Sequence, residues 1–215
     1  MDAGLLAIKR SDQAKQRLSE SFTAAERSLV ARAMQDDALA LCAASTFLRW
    51  WVVSDDDEVL QRARDQGFEV VRDEGAGLNP ALLTSFDALL AAGMESVTIV
   101  PTDIPLARPE DIEAILETGA TSEMVVVPSR DGGTNALYLR PPDLIAPRFG
   151  EKSLQAHIAA AETLKLRCTV LPLERMALDI DTPEHVERLI EVGGEVPTRT
   201  YQELIRLRPP AAAQA

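Results

Sequence analysis

Short runs of β-branched and aliphatic residues alternate with segments of helical periodicity along most of this chain, and no other feature constrains the fold as strongly. This alternation predicts a mostly parallel sheet with helices on both faces, and a hairpin-like stretch near residue 130 predicts that the sheet is mixed. The predicted strands cover residues 5–8, 48–53, 69–72, 97–100, 124–128, 136–139 and 168–173. The predicted helices cover residues 23–42, 59–66, 79–92, 109–117, 153–164 and 183–192.

One domain accounts for the whole pattern. The chain has 215 residues, which is the length of a single domain with a sizeable core, and no internal repeat or linker interrupts it. We predict that this domain spans residues 1–207. The tail at 208–215 ends in Ala-Ala-Ala-Gln-Ala, has low complexity and is expected to be disordered.

Charge and hydropathy argue against two classes of partner. A net charge of -12 argues against binding to a nucleic acid, whose phosphate backbone requires a basic surface. No apolar run approaches the roughly 20 residues of a membrane helix, and no basic leader precedes the first apolar run, so we expect a cytoplasmic protein. Cys42 and Cys168 lack the spacing of metal ligands and are expected to be small buried hydrophobic residues.

The first loop is basic although the chain as a whole is acidic. Lys9, Arg10, Lys15 and Arg17 lie within nine positions. Such a cluster could bind a small anionic ligand, or it could be a solvated loop or helix face. Loops that follow the strands gather at the carboxyl edge of a sheet of this kind, which is where ligands bind.

The stretch at 129–137 joins two predicted strands and contains two adjacent glycines, Gly132 and Gly133. Because glycine has no Cβ atom, their backbone amides could approach a ligand closely. The alternative is an ordinary hairpin turn, in which such glycines are common. The side chains that add donors for phosphate or carboxylate oxygens are Arg130, Thr134 and Asn135.

Three aspartates are candidates for metal ligands. Asp103 follows the predicted strand at 97–100, whose carboxyl end faces the expected ligand crevice. Asp179 and Asp181 alternate, so in an extended backbone they would share one face. Carboxylate oxygens suit Mg2+, and Asp103 with one of the later pair could hold one ion on a triphosphate. The alternatives are a turn aspartate at 103 and helix-capping residues around Thr182.

Two further loops could contact a ligand. Gly75-Ala76-Gly77 opens a predicted helix, but it departs from the dinucleotide fingerprint because Pro80 stands in the third glycine position. Its small residues could still admit a base or a phosphate, and a plain loop is the alternative. The segment at 148–153, with Lys152 and Ser153, could form an anion site at a helix start or an ordinary cap. His157 on that helix has no evident nucleophile or base as a partner.

In their order along the chain, these motifs resemble the 2-phospho-L-lactate guanylyltransferase family, which includes enzymes for phosphoenolpyruvate and 3-phospho-D-glycerate. The resemblance runs from Leu6 to about Leu189, and it is specific because six modest motifs occur in register. The motifs are Lys9 with Ala14-Lys15-x-Arg17-Leu18, Gly75-x-Gly77-Leu78-Asn79, Asp103-x-Pro105, Asp131-Gly132-Gly133-Thr134-Asn135-Ala136-Leu137, Phe149-Gly150 with Ser153, and Asp179-x-Asp181-Thr182-Pro183.

The resemblance implies a Rossmann-like nucleotidyltransferase fold of the glycosyltransferase-A type and a Mg2+-dependent guanylyltransferase. The implied reaction joins GMP from GTP to one of those three phospho-acids, releases pyrophosphate and leads toward coenzyme F-420, so that the product would pass to the next enzyme of that pathway. The implied roles are triphosphate binding and catalysis by Lys9, Lys15 and Arg17, nucleotide binding by Gly75, Gly77 and Asn79, acceptor binding by Thr134, Gly150 and Ser153, and Mg2+ binding by Asp103 and Asp181. A homodimer is also considered, because Trp50-Trp51 could include one ring exposed at an interface, although core packing is favoured for at least one of the two.

The chain departs from the family pattern at Gln16, Ile104 and Glu151-Lys152, where the family usually has threonine, leucine, and proline followed by a small or acidic residue. The last change lies in the implied acceptor loop and leaves the acid open. Two alternatives remain at this point. One is a nucleotidyltransferase of the molybdenum-cofactor or sugar-nucleotide type, although the loop at 9–13 lacks the glycines of those enzymes. The other is a non-catalytic nucleotide-binding subunit.

Overall fold

The computed structural model describes residues 1–9, 15–195 and 197–208 of the chain, and seven strands within them form one sheet. The strands are β1 (Asp2–Ala7), β2 (Arg49–Ser54), β3 (Glu69–Arg72), β4 (Ser96–Val100), β5 (Met124–Pro128), β6 (Thr134–Leu139) and β7 (Cys168–Val170). Their order across the sheet is β3-β2-β1-β4-β6-β5-β7. Every neighbouring pair is parallel except the two that involve β6, which runs antiparallel to both β4 and β5.

Helices cover both faces of this sheet, which confirms the predicted α/β class with a mixed, mostly parallel sheet. The helices are α1 (Ala24–Ala44), α2 (Asp57–Asp65), α3 (Leu78–Ala91), α4 (Pro109–Gly119), α5 (Ser153–Leu164), α6 (Pro183–Val192) and α7 (Arg199–Leu207). Apolar residues of α1, α2 and α4 pack on one face, and those of α3 and α5 pack on the other. Thr23 begins α1 with the capping box that its spacing to Glu26 predicts.

The two adjacent tryptophans of β2 point to opposite faces of the sheet, as consecutive strand residues do. Trp50 belongs to the core on the α1 side and Trp51 to the core on the α3 side, and each is only 4% exposed. The possibility that one ring lies exposed at an interface is therefore wrong, and the core packing favoured for at least one of the rings is found for both. The Trp50 ring needs the space beside Gly4 on β1, because a Cβ atom there would lie 2.4 Å from the ring.

Replacing Gly4 with alanine should lower the free energy of unfolding by about 2 kcal/mol or more, because the added methyl group overlaps the Trp50 ring in a packed core. Urea unfolding followed by circular dichroism measures the loss. In a Trp50→Leu background the same substitution should cost clearly less, since the smaller side chain relieves the overlap. An equal cost in both backgrounds would contradict the proposed clash.

The last helix, α7, was not predicted from the sequence. Its first turn is held by Asp37 of α1, whose carboxylate accepts hydrogen bonds from the Arg199 amide (2.8 Å), the Thr200 amide (2.8 Å) and the Thr200 hydroxyl (2.6 Å). The buried Leu204 then joins apolar residues of α1 and α6 in a third cluster. This helix therefore depends on a contact between residues more than 160 positions apart.

The described part of the chain ends at Arg208, which contacts the segment before α1. Residues 209–215 of the expected tail lie outside the described residues, and the domain boundary stays a prediction. Arg208 donates to the Ser21 carbonyl (2.9 Å), and its guanidinium lies 4.5 Å from the centre of the Phe22 ring.

Cys42 is buried as expected, whereas Cys168 is half-buried. No helix within the described ranges has the length and hydropathy of a transmembrane span.

Candidate functional site

A cleft of about 490 Å³ opens at the edge of the sheet where the parallel strands β1 and β4 end. The chain leaves β1 through Lys9 and leaves β4 through Asp103, and both segments form walls of the cleft. This is the edge at which sheets of this kind bind ligands. The other lining residues are Ala7, Ile8, Lys15, Ala31, Met34, Gln35, Asp55, Asp73, Gly75, Gly77, Leu78, Ile99, Val100, Pro101, Thr102, Phe149 and Asp181.

Lys15 joins two aspartates at the cleft. Its ammonium lies 2.6 Å from Asp103 Oδ2 and 2.6 Å from Asp181 Oδ1. The backbone amide of Ile180 donates to the carbonyl of Asp103 (2.9 Å), which fixes the segment bearing Asp181 beside the end of β4. Burial alone would lower the pKa of Lys15, but the charges and hydrogen bonds of the two carboxylates outweigh it and raise the pKa. Lys15 is therefore a fully charged ammonium at neutral pH.

The carboxylates of Asp103 and Asp181 have a chemistry and spacing that fit a divalent cation. Asp103 Oδ2 and Asp181 Oδ1 each lie 2.6 Å from the Lys15 nitrogen, so the distance between these two oxygens is at most twice 2.6 Å. Their side chains are 23% and 35% exposed, which leaves room for substrate oxygens and water as further ligands. No three His, Cys, Asp or Glu side chains are grouped to hold a metal in the part of the chain that the structure describes. Two carboxylates with substrate ligands is the arrangement typical of Mg2+.

Asp179 and Asp181 have different partners, although the sequence leaves open which of them belongs to the site. Asp181 contacts Lys15 at the cleft, whereas Asp179 is buried and accepts from the Asn135 amide (3.3 Å). Burial, together with the negative charge of Asp103, raises the pKa of Asp179. The structure therefore pairs Asp103 with Asp181 across Lys15.

The remaining cations of the basic loop differ in position. Lys9 is exposed and lines the cleft, and its backbone carbonyl accepts from the Gln35 side chain (3.0 Å). Arg17 is exposed in a short 3-10 helix and is not one of the lining residues. Arg10 falls outside the described residues. Two of the three cations expected at the triphosphate thus lie at the cleft.

Gly75 and Gly77 line the cleft and have φ angles of +79° and +114°, which favour glycine. Two carboxylates that sequence reasoning missed, Asp55 and Asp73, also line the cleft. Asp55 Oδ2 would be 3.6 Å from a Cβ atom on Gly75. Carboxylates here can accept hydrogen bonds from ribose hydroxyls or from N–H groups of a base. Asp55 directly follows β2 and Asp73 directly follows β3, and this position at strand ends could have indicated from the sequence that both lie at the ligand-binding edge.

Asn79 binds the protein backbone through both the oxygen and the nitrogen of its side-chain amide. Its side-chain oxygen accepts from the Phe149 amide (2.9 Å), and its side-chain nitrogen donates to the Phe149 carbonyl (3.0 Å). These two bonds attach the segment before Gly150 to the start of α3. The Phe149 ring lines the cleft, so Asn79 shapes the wall of the cleft through Phe149.

The three residues expected to bind the acceptor lie around the start of α5. Thr134 begins β6, Ser153 begins α5, and both are buried. Gly150 has a φ of +131° and its carbonyl accepts from the Ser153 amide (3.2 Å). His157 contacts Thr134 and the Arg148 amide and so connects these segments. They do not line the cleft itself, but Phe149, next to Gly150, does.

The glycine turn between β5 and β6 is closed on itself. The Gly133 amide donates to Ser129 Oγ (2.7 Å) and to Asp131 Oδ1 (3.2 Å), so it has no capacity left for a ligand. The hydrogen bond from the Ser129 hydroxyl lowers the pKa of Asp131. Asn135 donates to the Met176 carbonyl (2.7 Å), and Arg130 is exposed beside Glu174. The motif therefore forms a hairpin turn, and a role of its side chains in ligand binding stays a prediction.

Comparisons with known proteins identify a family of guanylyl transferases to which the chain is similar. A model of the family described as "Guanylyl transferase CofC like" matches residues 3–211. The phosphoenolpyruvate guanylyltransferase of Sphaerobacter thermophilus is 34% identical over 90% of this chain and 93% of its own. The 2-phospho-L-lactate guanylyltransferase of Methanocaldococcus fervens is 33% identical over 92% and 88%. The 3-phospho-D-glycerate guanylyltransferase of Phenylobacterium zucineum is 34% identical over 100% of both chains.

Solved structures share the fold at lower identity. A Desulfovibrio desulfuricans protein, provisionally described as a nucleotide-diphospho-sugar transferase, has a TM-score of 0.77 at 18% identity and covers 96% of this chain and 97% of its own. A cytidylyltransferase from Leptospira borgpetersenii has a TM-score of 0.62 at 17% identity, with 96% and 92% covered. A Mycobacterium tuberculosis protein in complex with manganese has a TM-score of 0.55 at 18% identity, with 89% and 98% covered. The fold is therefore the Rossmann-like nucleotidyltransferase fold.

Proposed function

Because the chain belongs to the family of CofC-like guanylyl transferases, we propose that it joins the GMP part of GTP to a small phosphorylated carboxylic acid and releases pyrophosphate. The observation that carries this proposal is the contact of Lys15 with both Asp103 and Asp181 at the mouth of the cleft. An ammonium and two carboxylates at the carboxyl edge of a parallel sheet are the groups that nucleotidyl transfer needs.

The cleft would hold the nucleoside of GTP. Its volume of about 490 Å³ lies within the usual range for small-molecule sites. Gly75 and Gly77 would border the guanine and ribose, where the lack of a Cβ atom allows close approach. Asp55 and Asp73 would accept hydrogen bonds from the ribose hydroxyls or the guanine N–H groups. Asn79 would act on the nucleotide indirectly, by fixing the Phe149 wall.

The reaction needs no general base from the protein. A phosphate oxygen of the acceptor forms a bond to the α-phosphorus of GTP. The bond from that phosphorus to the oxygen that bridges the α- and β-phosphates breaks, and its electron pair leaves with pyrophosphate. A phosphate is already ionised near neutral pH, so catalysis depends on positioning and on charge. Lys9 and Lys15 would bind the triphosphate at the cleft, and Arg17, which does not line the cleft, is the third cation proposed for this role.

Asp103 and Asp181 would hold Mg2+, which when bound neutralises negative charge on the phosphate oxygens. The manganese complex of a structural neighbour supports the use of a divalent ion by proteins of this fold. Lys15 now lies between the two carboxylates, so we propose that it moves onto phosphate oxygens when the ion is bound.

Thr134, Gly150 and Ser153 would bind the acceptor. Relatives of similar identity are named for three different acids, and the Glu151-Lys152 departure lies between two of these residues. We propose that the acid is one of those three, that the product leads toward coenzyme F-420 through the next enzyme of that pathway, and that the reaction takes place in the cytoplasm. A homodimer stays a proposal.

The function can be tested by incubating the purified protein with GTP and Mg2+, separately with 2-phospho-L-lactate, phosphoenolpyruvate and 3-phospho-D-glycerate. Pyrophosphate release and the mass of each product are recorded. A guanylylated acid supports the proposal and identifies the acceptor, and replacing GTP with CTP, ATP or UTP tests the base. If none of the acids reacts in a protein that binds GTP, the proposed acceptor class is wrong and a sugar-nucleotide type of transfer becomes the better explanation.

A further inference from the structure

His157 is a buried histidine on α5 with a hydrogen bond at each ring nitrogen. Nδ1 lies 3.0 Å from the Thr134 hydroxyl, and Nε2 lies 3.0 Å from the backbone nitrogen of Arg148. The ring also meets the Phe149 ring edge to face, with centroids 5.2 Å apart and planes at 73°. One side chain thus contacts both segments that carry acceptor residues.

These contacts determine the state of the ring. A backbone N–H can only donate, so Nε2 of His157 accepts from Arg148 and carries no proton. Burial, with a smaller contribution from the charge of Arg148, lowers the pKa of His157 to about 4. The ring is therefore neutral near pH 7, and its single proton lies on Nδ1.

The state of His157 in turn orients Thr134. The Nδ1–H group donates to Thr134 Oγ1, so the hydroxyl proton of Thr134 cannot point at the ring. That proton is left to donate to a different group. Thr134 starts β6 beside the turn at 129–133, and the Leu154 amide joins that turn to the start of α5 (3.4 Å to the Gly132 carbonyl).

We propose that His157 is a positioning residue for the acceptor: its neutral ring presents the Thr134 hydroxyl as a donor to an anionic oxygen of the phospho-acid and holds Arg148 to Gly150 beside it. This inference rests on the proposed function, since it takes Thr134 and Gly150 as contacts of the acceptor. His157 itself does not touch the reacting atoms and transfers no proton.

Two substitutions separate the hydrogen bonds of the ring. Asparagine places an amide N–H near the position of Nδ1, so His157→Asn keeps a donor for Thr134. Glutamine places an amide oxygen near the position of Nε2, so His157→Gln keeps only the acceptor for Arg148. The Gln variant should raise KM for the acceptor about tenfold, the Asn variant should raise it less, and KM for GTP should change by less than about twofold in both.

A double-mutant cycle tests whether His157 acts through Thr134. In a Thr134→Val background, His157→Gln should give no further increase in KM for the acceptor, because the hydroxyl that it orients is gone. Thr169→Val is the matched control, since the Thr169 hydroxyl also bonds a buried partner, Ser122, but lies on β7. Three results would each overturn the inference. KM for GTP and for the acceptor could rise equally, the acceptor KM of the Gln variant could be unchanged, or the effects of His157→Gln and Thr134→Val on that KM could multiply in the double variant.

A measurement on the unaltered protein keeps the test independent of folding in the variants. The 15N chemical shifts of the His157 ring at pH 7 should be those of a neutral imidazole with its proton on Nδ1. A proton on Nε2 or a charged ring would overturn the inference. If the unaltered enzyme guanylylates none of the acids, the proposed function fails; if it does so without this pattern, only the role of His157 fails.

Discussion

Replacing Asp103 or Asp181 with asparagine should reduce kcat by about a thousandfold or more while leaving the fold intact. Asparagine keeps the volume of the side chain and one oxygen that can accept from Lys15, so the thermal midpoint should move by only a few degrees. It loses the negative charge that a divalent ion needs. Steady-state kinetics at saturating GTP and acceptor measure the loss, and titration with Mn2+ in the presence of GTP should show binding weakened by at least about tenfold.

The matched control is Asp87→Asn, which changes the same functional group at an exposed position on α3. It should leave kcat and Mn2+ binding unchanged. If the Asp103 and Asp181 variants kept normal Mn2+ binding and lost activity only, the two carboxylates would serve to hold Lys15 and the assignment as metal ligands would be wrong. Near-normal kcat in either variant would contradict both roles.

Replacing Lys15 with methionine should lower kcat about a hundredfold, because the variant loses a cation that balances charge on the triphosphate in the transition state. It should change metal binding in the opposite direction from the aspartate variants. Without the ammonium, Asp103 and Asp181 have no competing cation between them, so Mn2+ in the absence of GTP should bind at least about tenfold more tightly. Kinetics and Mn2+ titration of one preparation give both results.

Lys165→Met provides the control for the Lys15 variant. Lys165 has a φ of 57°, against 56° for Lys15, so both substitutions place methionine in the same left-handed backbone conformation. Lys165 is exposed at the end of α5, away from the cleft. Its variant should have normal kinetics and normal Mn2+ affinity. Unchanged kinetics in the Lys15 variant would show that the basic loop does not take part in turnover.

Local signals were sufficient to predict most of the fold. Strands such as β4 and β5 are short runs rich in β-branched residues. Helices such as α1 and α6 begin at threonine caps whose side chains accept from the backbone amide three residues on. The helix α7 also begins at a threonine cap. That cap, Thr198, was an available local signal for α7, whereas the contact of its first turn with Asp37 spans 162 positions and leaves no local pattern.

The candidate site was predictable only where topology alone brings residues together. The position of Asp103 follows from the end of a parallel strand, and its pairing with a late aspartate was expected. The insertion of the Lys15 ammonium between residues 88 and 166 positions away was not, because it depends on how the loops pack. Asn79 and Asn135 show a second limit to predicting a site from the sequence. A side-chain amide can form hydrogen bonds with a ligand or with the backbone equally well, and both of these residues bind the backbone.

The direction of β6, which is antiparallel to both of its neighbours, bears on how the proposed acceptor residues could vary among relatives. Since β6 runs against β4, its amino end lies at the edge where β4 has its carboxyl end, so Thr134 starts a strand at the edge where β4 leads into Asp103. The two hydrogen bonds from Asn79 go to the backbone of Phe149, so these bonds themselves do not require a particular side chain at position 149. If the proposed roles are correct, residues around Thr134 could change, and the choice of acid with them, while the residues proposed to bind the nucleotide stay the same. Relatives that are all named guanylyltransferases but for three different acids fit that expectation.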